Sequence, residues 1–380
     1  AEQLQRFSLG HNILLHEEYC QRYAGTLSAN IVLPAFLVTL EGPYIDNLLV
    51  LGHPDDAARI CRIHVKKSPA YQVGFLGNGV LSTTDLDHWR AQRASVIEAF
   101  LPLSSLARVC PVSVQRAQFA SGTKLKDLSK GGTVAVDMNE FLLHEAMAQL
   151  QLVLFNMPEE KMEETNKKLR NSFTDALSGP SGIGYEQFNQ SRKYIRATSL
   201  EFVDHAKCPA LAHASATESY TTGCPVAGPL SKRLADLKVS ERQDLAISQR
   251  DTAATFAFAG HDTTANLMTW FCFEMARHPD LQKEIQDEVD ALFASIHGRD
   301  MEYADLPKLK LMTKCLNETQ RLWPSVPNGT FRELMFDDTV KDEHGRDVRV
   351  PAGTQVQIPN WLLHHNPLLW GDDVNEFNPK

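Results

Sequence analysis

Asp262 and Thr263 lie side by side in the run Ala259-Gly260-His261-Asp262-Thr263-Thr264. An acid beside a hydroxyl can relay protons to a reacting group. A glycine inside a helical stretch costs roughly 1 kcal/mol against alanine, so its presence points to close packing or to a flat ligand near the backbone. The plainer account is a threonine-rich, slightly irregular buried helix, because Thr can bond back to a carbonyl one turn earlier. On this run alone the plainer account is the stronger. Glu318 and Arg321 are three apart and share a helical face. As an exposed pair they would contribute only ~0.5 kcal/mol. Leu316, Leu322 and Trp323 surround them and Pro324 and Pro327 follow, which favours a buried clamp. Trp89 and Arg93 are four apart and present an indole N–H and a guanidinium together, a donor pair suited to a carboxylate. A cation–π contact between the two explains the spacing equally well. The loop Trp370-Gly371-Asp372-Asp373-Val374-Asn375-Glu376-Phe377-Asn378-Pro379 is rich in turn residues and carries no chemistry of its own.

These residues need elements to hold them. Arg242 to Arg277 contains no proline and no glycine except Gly260, which predicts one helix ending at His278-Pro279. Its length would be about 50 Å, enough to cross a domain. Pro279 opens a second helix with Leu281, Ile285, Val289, Leu292 and Ile296 along one stripe. Asp305 is expected to cap a third, running to about Trp323 and stopping at Pro324. Upstream, Ile31 to Leu40 reads as a strand that Pro34 confines to an edge or a bend. Leu48 to Leu51 reads as a short strand, and Pro54 opens a helix. Apolar residues from Phe141 to Leu154 recur at helical spacing. Residues 156–240 read as helices joined by long loops. A turn at Asp342–Gly345 separates strand signals, which resume at Val348–Val350 and Gln355–Ile358. The expected fold is mainly α with small β-sheets, an α+β architecture in a single domain. Strand and helix mix over 1–110, helices fill 111–325, and a small sheet and a meander occupy 326–380.

The chain has 380 residues, enough for a large core, with 43% hydrophobic and 22% charged residues. A formal charge of −9 argues against nucleic-acid binding, which needs a basic face. The seven cysteines are irregularly spaced with no Cys-x-x-Cys pair, so neither a disulfide framework nor a zinc site is expected. Reduced thiols suit a cytosol-facing protein. No run of 18 apolar residues is present to span a membrane. The chain opens on Ala1 and is expected to lack an upstream segment. Had that segment held an anchor, the protein would sit at the endoplasmic reticulum membrane; otherwise it would be cytoplasmic.

Taken in order, AGHDTT, ETQRLWPSVP and WGDDVNEFNP resemble the oxygen-binding helix, the Glu-x-x-Arg helix and the meander entry of the cytochrome P-450 family. WRAQR resembles that family's propionate-binding helix, and Gly77-Asn78-Gly79-Val80-Leu81 fits its lead-in. The resemblance spans roughly residues 20 to 380 and is nearest in wording to the fatty-acid-hydroxylating branch. It implies a monooxygenase that uses haem b to insert one oxygen atom from dioxygen into an apolar substrate such as a lipid, fatty acid or sterol. Electrons would come from NADPH or NADH through a flavoprotein reductase or a ferredoxin-type donor. Contact with a membrane surface is compatible with it, and nucleic acid is not a partner. It implies that Ala259 and Gly260 lie over the haem, that Thr263 hydrogen-bonds dioxygen and that Asp262 feeds protons. Trp89, Arg93 and Arg332 would bind haem propionates, with His364 or His365 a further candidate. Glu318 and Arg321 would belong to a buried three-member network.

The family's iron ligand is a cysteine in a glycine-flanked loop beyond the meander, expected after Lys380 together with the third network member. No cysteine of this sequence takes the role by its setting. Cys224 lacks the upstream Phe and Gly, and Cys272 and Cys315 are expected to be packed in the core. The sequence as it stands is therefore expected to be inactive and to be a fragment. The alternative is a haem-free protein of the same fold that binds a lipid or a partner.

Overall fold

The computed structural model describes residues 18, 21–22, 30–39, 42–72, 75–100, 103–155, 157–206 and 229–379. Helices dominate them. The first are α1 (Pro54–Ile63), α2 (Leu86–Val96), α3 (Leu103–Phe119), α4 (Leu125–Leu128) and α5 (Met138–Leu154). There follow α6 (Glu159–Ile183), α7 (Tyr185–Ala206), α8 (Pro229–Ala235), α9 (Leu245–Arg277), α10 (Pro279–Ser295) and α11 (Lys310–Leu322). Two short helices, α12 (Asn360–His364) and α13 (Pro367–Trp370), close the chain. Side-chain carboxylates start several of these. Asp85 accepts from the backbone N–H groups of Asp87 and His88, and Asp137 from those of Asn139 and Glu140. Asp244 accepts from Ile247 N–H, so α9 begins after it, three residues later than the composition of the segment suggests.

Two expectations fail for local reasons. Asp305 does not cap α11. It lies in a 3-10 turn, Tyr303–Lys308, where its carboxylate holds Arg299 at 2.8 and 2.9 Å and Lys308 at 2.8 Å. Residues 159–206 form two long helices rather than short ones joined by loops; Gly179 (φ 69°) kinks the first and Gly184 (φ 85°) divides them. Residues 207–228, with Cys208 and Cys224, lie outside the described residues.

Strands β1 (Ile31–Thr39), β2 (Gly42–Val50), β3 (Thr330–Glu333) and β6 (Gln355–Ile358) form one sheet in the order β1-β2-β6-β3. β4 (Asp338–Lys341) and β5 (Asp347–Val350) make a separate hairpin. β1 is an edge strand, where Pro34 opposite Asn47 costs no ladder on its open side. β6 pairs parallel with β2 and antiparallel with β3, joining the two ends of the chain. The segment at 66–68 adds to the outer side of β3: Glu333 N–H donates to Lys66 O at 3.1 Å, and Ser68 N–H to Phe331 O at 3.4 Å.

The central helix α9 is buried among α5, α6 and α7. Ala253, Ala254 and Ala257 are almost wholly inaccessible and pack with Met147 and Leu150 of α5, Phe173 of α6 and Phe202 of α7. Gly260 belongs to this contact. A Cβ there would stand 2.2 Å from Leu150 Cδ1, so the missing side chain is what lets α5 approach α9. Of the two uses the sequence offers for this glycine, close packing is the one this contact displays. At its C-terminal end α9 is locked to α11: Trp323 Nε1 donates to the buried Glu274 carboxylate at 2.7 Å, and the Trp270 and Trp323 rings stack 4.2 Å apart.

The Glu318–Arg321 pair is a clamp, not a surface bridge. Nε and Nη2 of Arg321 donate to Glu318 at 2.8 Å each. Nη1 reaches His364 O at 3.0 Å and Val374 O at 2.7 Å, and Nη2 reaches Glu376 O at 3.1 Å. All five N–H donors of the guanidinium are used. Glu318 in turn accepts from Asn378 N–H at 3.0 Å. Replacing Arg321 with alanine strands a buried carboxylate and three carbonyls, and should destabilise the fold by about 3–5 kcal/mol. Arg321→Lys keeps the charge without the planar fork and should recover less than half of the loss. Urea unfolding measures both; a loss below about 1 kcal/mol for Arg321→Ala would contradict the clamp.

Candidate active site

α9 and α11 bring the acid–hydroxyl pair beside the clamp. Thr263 Oγ1 donates to Ala259 O at 2.8 Å, and Thr263 O accepts from Ser325 Oγ at 2.9 Å. Thr263 lines a cavity of about 390 Å³ together with Asn317, Gln320, Arg321, Ser325 and His364. The plain packing account of the threonine therefore holds for its proton, while its oxygen keeps acceptor capacity toward the cavity. Asp262 is half-buried, and burial pushes its carboxyl above the ordinary range, opposed only by neighbouring His261. His261 itself is a packing residue. Its Nδ1 lies 2.9 Å from Ala257 O, its ring stacks on Phe173 at 5.5 Å, and burial lowers its pKa, leaving it neutral near pH 7.

A second group of residues is defined by charge. Lys67 and Arg332 are partners in an isolated antiparallel bridge, so both side chains leave the same face. Burial first, and then the positive charges of Arg332 and Arg93, push Lys67 down to about 8. Nε and Nη1 of Arg332 are buried with no hydrogen-bond partner. Among the described residues no carboxylate forms an ion pair with Lys67, Arg93 or Arg332, although the adjacent Lys66 pairs with Glu333. Arg93 meets Trp89 through a cation–π contact at 5.6 Å on α2. Three cations held together without an anion cost free energy unless an anionic ligand joins them.

Lys67 thus links Arg332, its bridge partner, with Arg93, whose charge it feels and which meets Trp89. Lys67 belongs to no recognised motif; only its place next to β3 reveals it. His364 does not join this group. It sits in the cavity beside Arg321, which none of the three cations lines, and its carbonyl accepts from Arg321. Burial holds the His364 imidazole below its ordinary pKa, and its Nδ1 is buried without a hydrogen-bond partner. His365 is buried and stacks on Trp361 at 4.0 Å. Ala259 is half-buried one turn before Thr263.

The haem that the resemblance implies fits this donor set. Its two propionates supply the negative charge that Lys67, Arg93 and Arg332 lack. The described cysteines fit the role of an iron ligand poorly. Cys315 is fully buried and pushed up to about 11, and burial also raises Cys272, so both stay protonated. Cys272 is exposed on α9, contrary to the expectation that it is packed.

The family model for cytochrome P450 (cytochrome P-450) matches residues 46–380. A cytochrome P-450 monooxygenase, sphH, of Aspergillus fumigatus is 38% identical over 132 residues, which is 34% of this chain and 23% of that protein. A cytokinin hydroxylase of Arabidopsis thaliana is 36% identical over 135 residues, 34% of this chain and 24% of its own length. The matched stretches span about a quarter of these relatives. The crystal structure of a cytochrome P-450 (CYP102L1) superposes with a TM-score of 0.74 at 16% identity, covering 98% of this chain and 81% of that one.

The unpaired cations make an affinity difference measurable. Protoporphyrin IX should bind at least about tenfold more tightly than its dimethyl ester, which lacks the two charges. In Arg332→Met the difference should shrink to about threefold or less, read by fluorescence quenching. Equal affinities of the wild-type protein for acid and ester would contradict the assignment.

Proposed function

Because the chain belongs to the cytochrome P-450 family, we propose that it is the haem- and oxygen-handling part of a monooxygenase that inserts one oxygen atom from dioxygen into an apolar substrate. The substrate class is a lipid, fatty acid or sterol-like molecule. Electrons reach it from NADPH or NADH through a flavoprotein reductase or a ferredoxin-type donor. The observation that carries the reading is the Asp262–Thr263 pair on α9, an acid raised by burial next to the hydroxyl of a cavity-lining residue.

Haem b, held through its propionates by Lys67, Arg93, Arg332 and Trp89, would supply the redox centre at which dioxygen is reduced. The remaining tasks fall to the chain. Each turnover consumes protons as well as electrons, since the second oxygen atom leaves as water. Asp262 holds a proton at its carboxyl longer than an exposed acid would, and can pass it on and be recharged from solvent. Thr263 Oγ1 accepts and orients a hydrogen bond in the cavity while its own proton is tied to Ala259 O. The packed rings of Phe75, Phe173 and Phe258, with centroids 5.2–5.6 Å apart, form an apolar core against α9 and keep bulk water from that part of the helix.

In the intact enzyme Thr263→Ala should leave reductant consumption nearly unchanged and lower product formed per reductant severalfold, with hydrogen peroxide or water taking the difference. Unchanged coupling would remove Thr263 from the relay. Asp262→Asn separates function from stability. The raised carboxyl disfavours the charged form in the folded state, so its cost is felt at neutral pH and disappears as pH falls below the ordinary carboxylate range. Asp262→Asn should therefore raise the melting temperature at pH 7, leave it unchanged near pH 4, and slow turnover. A lower melting temperature at pH 7 would contradict the account.

A further inference from the structure

Where α7 crosses the first turns of α9, three arginines meet one carboxylate. Arg192 and Arg196 are one turn apart on α7, and Arg250 and Asp251 are adjacent on α9. Asp251 is 2% exposed and both of its oxygens are engaged. Its Oδ1 accepts from Arg250 Nε at 2.7 Å and pairs with Arg250 Nη2 at 2.6 Å. Its Oδ2 accepts from Asn78 N–H at 2.9 Å. A Cβ on Gly77 would fall 2.1 Å from that oxygen, so the loop is pressed onto it.

The other two guanidinium groups are left over. Nε of Arg192 and Nε of Arg196 are both buried and have no hydrogen-bond partner. Among the described residues neither arginine forms an ion pair; the nearest aromatic contact is Arg192 over the Phe188 ring at 5.2 Å. Burial, Arg192 and Arg250 all lower the Arg196 pKa, and the Asp251 charge opposes them. A buried N–H without an acceptor costs free energy, and two cations side by side add to the cost.

We propose that Arg192, Arg196 and Arg250 form an oxyanion-binding site at the α7–α9 crossing, taking a carboxylate or phosphate group. Such a group supplies several acceptor lone pairs and a negative charge, which is what the two unpartnered Nε–H groups lack. The oxyanion is either free or the head of an apolar ligand. The second source is sterically reasonable, since Arg250 lies nine residues before Ala259 on the same helix, a rise of about 13 Å. The Phe75, Phe173 and Phe258 rings belong to the same core. This site stands apart from the propionate cations and does not depend on the haem reading.

The test is calorimetric titration of the full chain with inorganic phosphate, dodecanoate and dodecanol. Dodecanoate should bind and weaken at least about tenfold in the Arg192→Met/Arg196→Met double variant, while dodecanol binding is unchanged. Phosphate that binds the wild type and competes with dodecanoate identifies a free oxyanion; dodecanoate binding without phosphate binding identifies a lipid head group. Either result supports the site. Arg196→Lys should restore part of the affinity, which a purely structural arginine would not do. Wild-type binding must also weaken as salt rises, so the site can be judged even if the double variant does not fold. The proposal is overturned if neither anion binds, or if dodecanoate binds wild type and variant equally, or no better than dodecanol.

Discussion

Arg321 is the residue on which the site's geometry depends. One guanidinium satisfies a carboxylate and three backbone carbonyls drawn from α11, α12 and the loop at 374–376. Irregular segments of this kind have few backbone partners of their own. A planar fork with five donors is among the few side chains that can hold several carbonyls in fixed directions. The clamp fixes α11, and α11 fixes the end of α9 through Trp323, Glu274 and Trp270. The acid–hydroxyl pair on α9 inherits its place from that chain of contacts. Because the clamp is buried, its contribution is specific orientation as much as stability.

Two charge imbalances stand out among the described residues. Buried carboxylates such as Asp305, Glu274 and Asp251 are paired with cations or donors. Arg332, Arg192 and Arg196 instead keep buried guanidinium nitrogens without an acceptor, and Arg332 faces Lys67. In a chain of net charge −9, unpaired cations are not forced by composition. They mark places where the free chain is strained electrostatically and an anionic ligand relieves the strain.

Much of this was legible in the sequence, and what was not has physical causes. The long helix, the strand with Pro34 at an edge and the Glu318–Arg321 pairing follow from periodicity and from local sterics, which act within a few residues. Gly260 was legible as a special position with close packing as one of its two uses, but the partner Leu150 was not, because it lies far away in sequence. Asp305 looked like a helix cap because its competing partner Arg299 precedes it by six residues in a turn that pattern alone does not show. Lys67 and Arg192 were invisible as functional residues. Their significance lies in the absence of an opposite charge around them, which only the folded arrangement reveals. His364 entered by analogy alone, and its place in the cavity beside Arg321 depends on contacts distant in sequence.

The claim most open to direct measurement is that the Lys67 group awaits a dianionic cofactor. The Lys67 ammonium can be followed by NMR titration of labelled lysine side chains, in the protein alone and with the diamagnetic zinc protoporphyrin bound. The account requires a pKa of about 8 in the protein alone and a rise toward the ordinary lysine value of about 10.4 once two carboxylates are in place. A Lys67 that titrates normally without ligand, or one whose pKa does not move when the porphyrin binds, would contradict it.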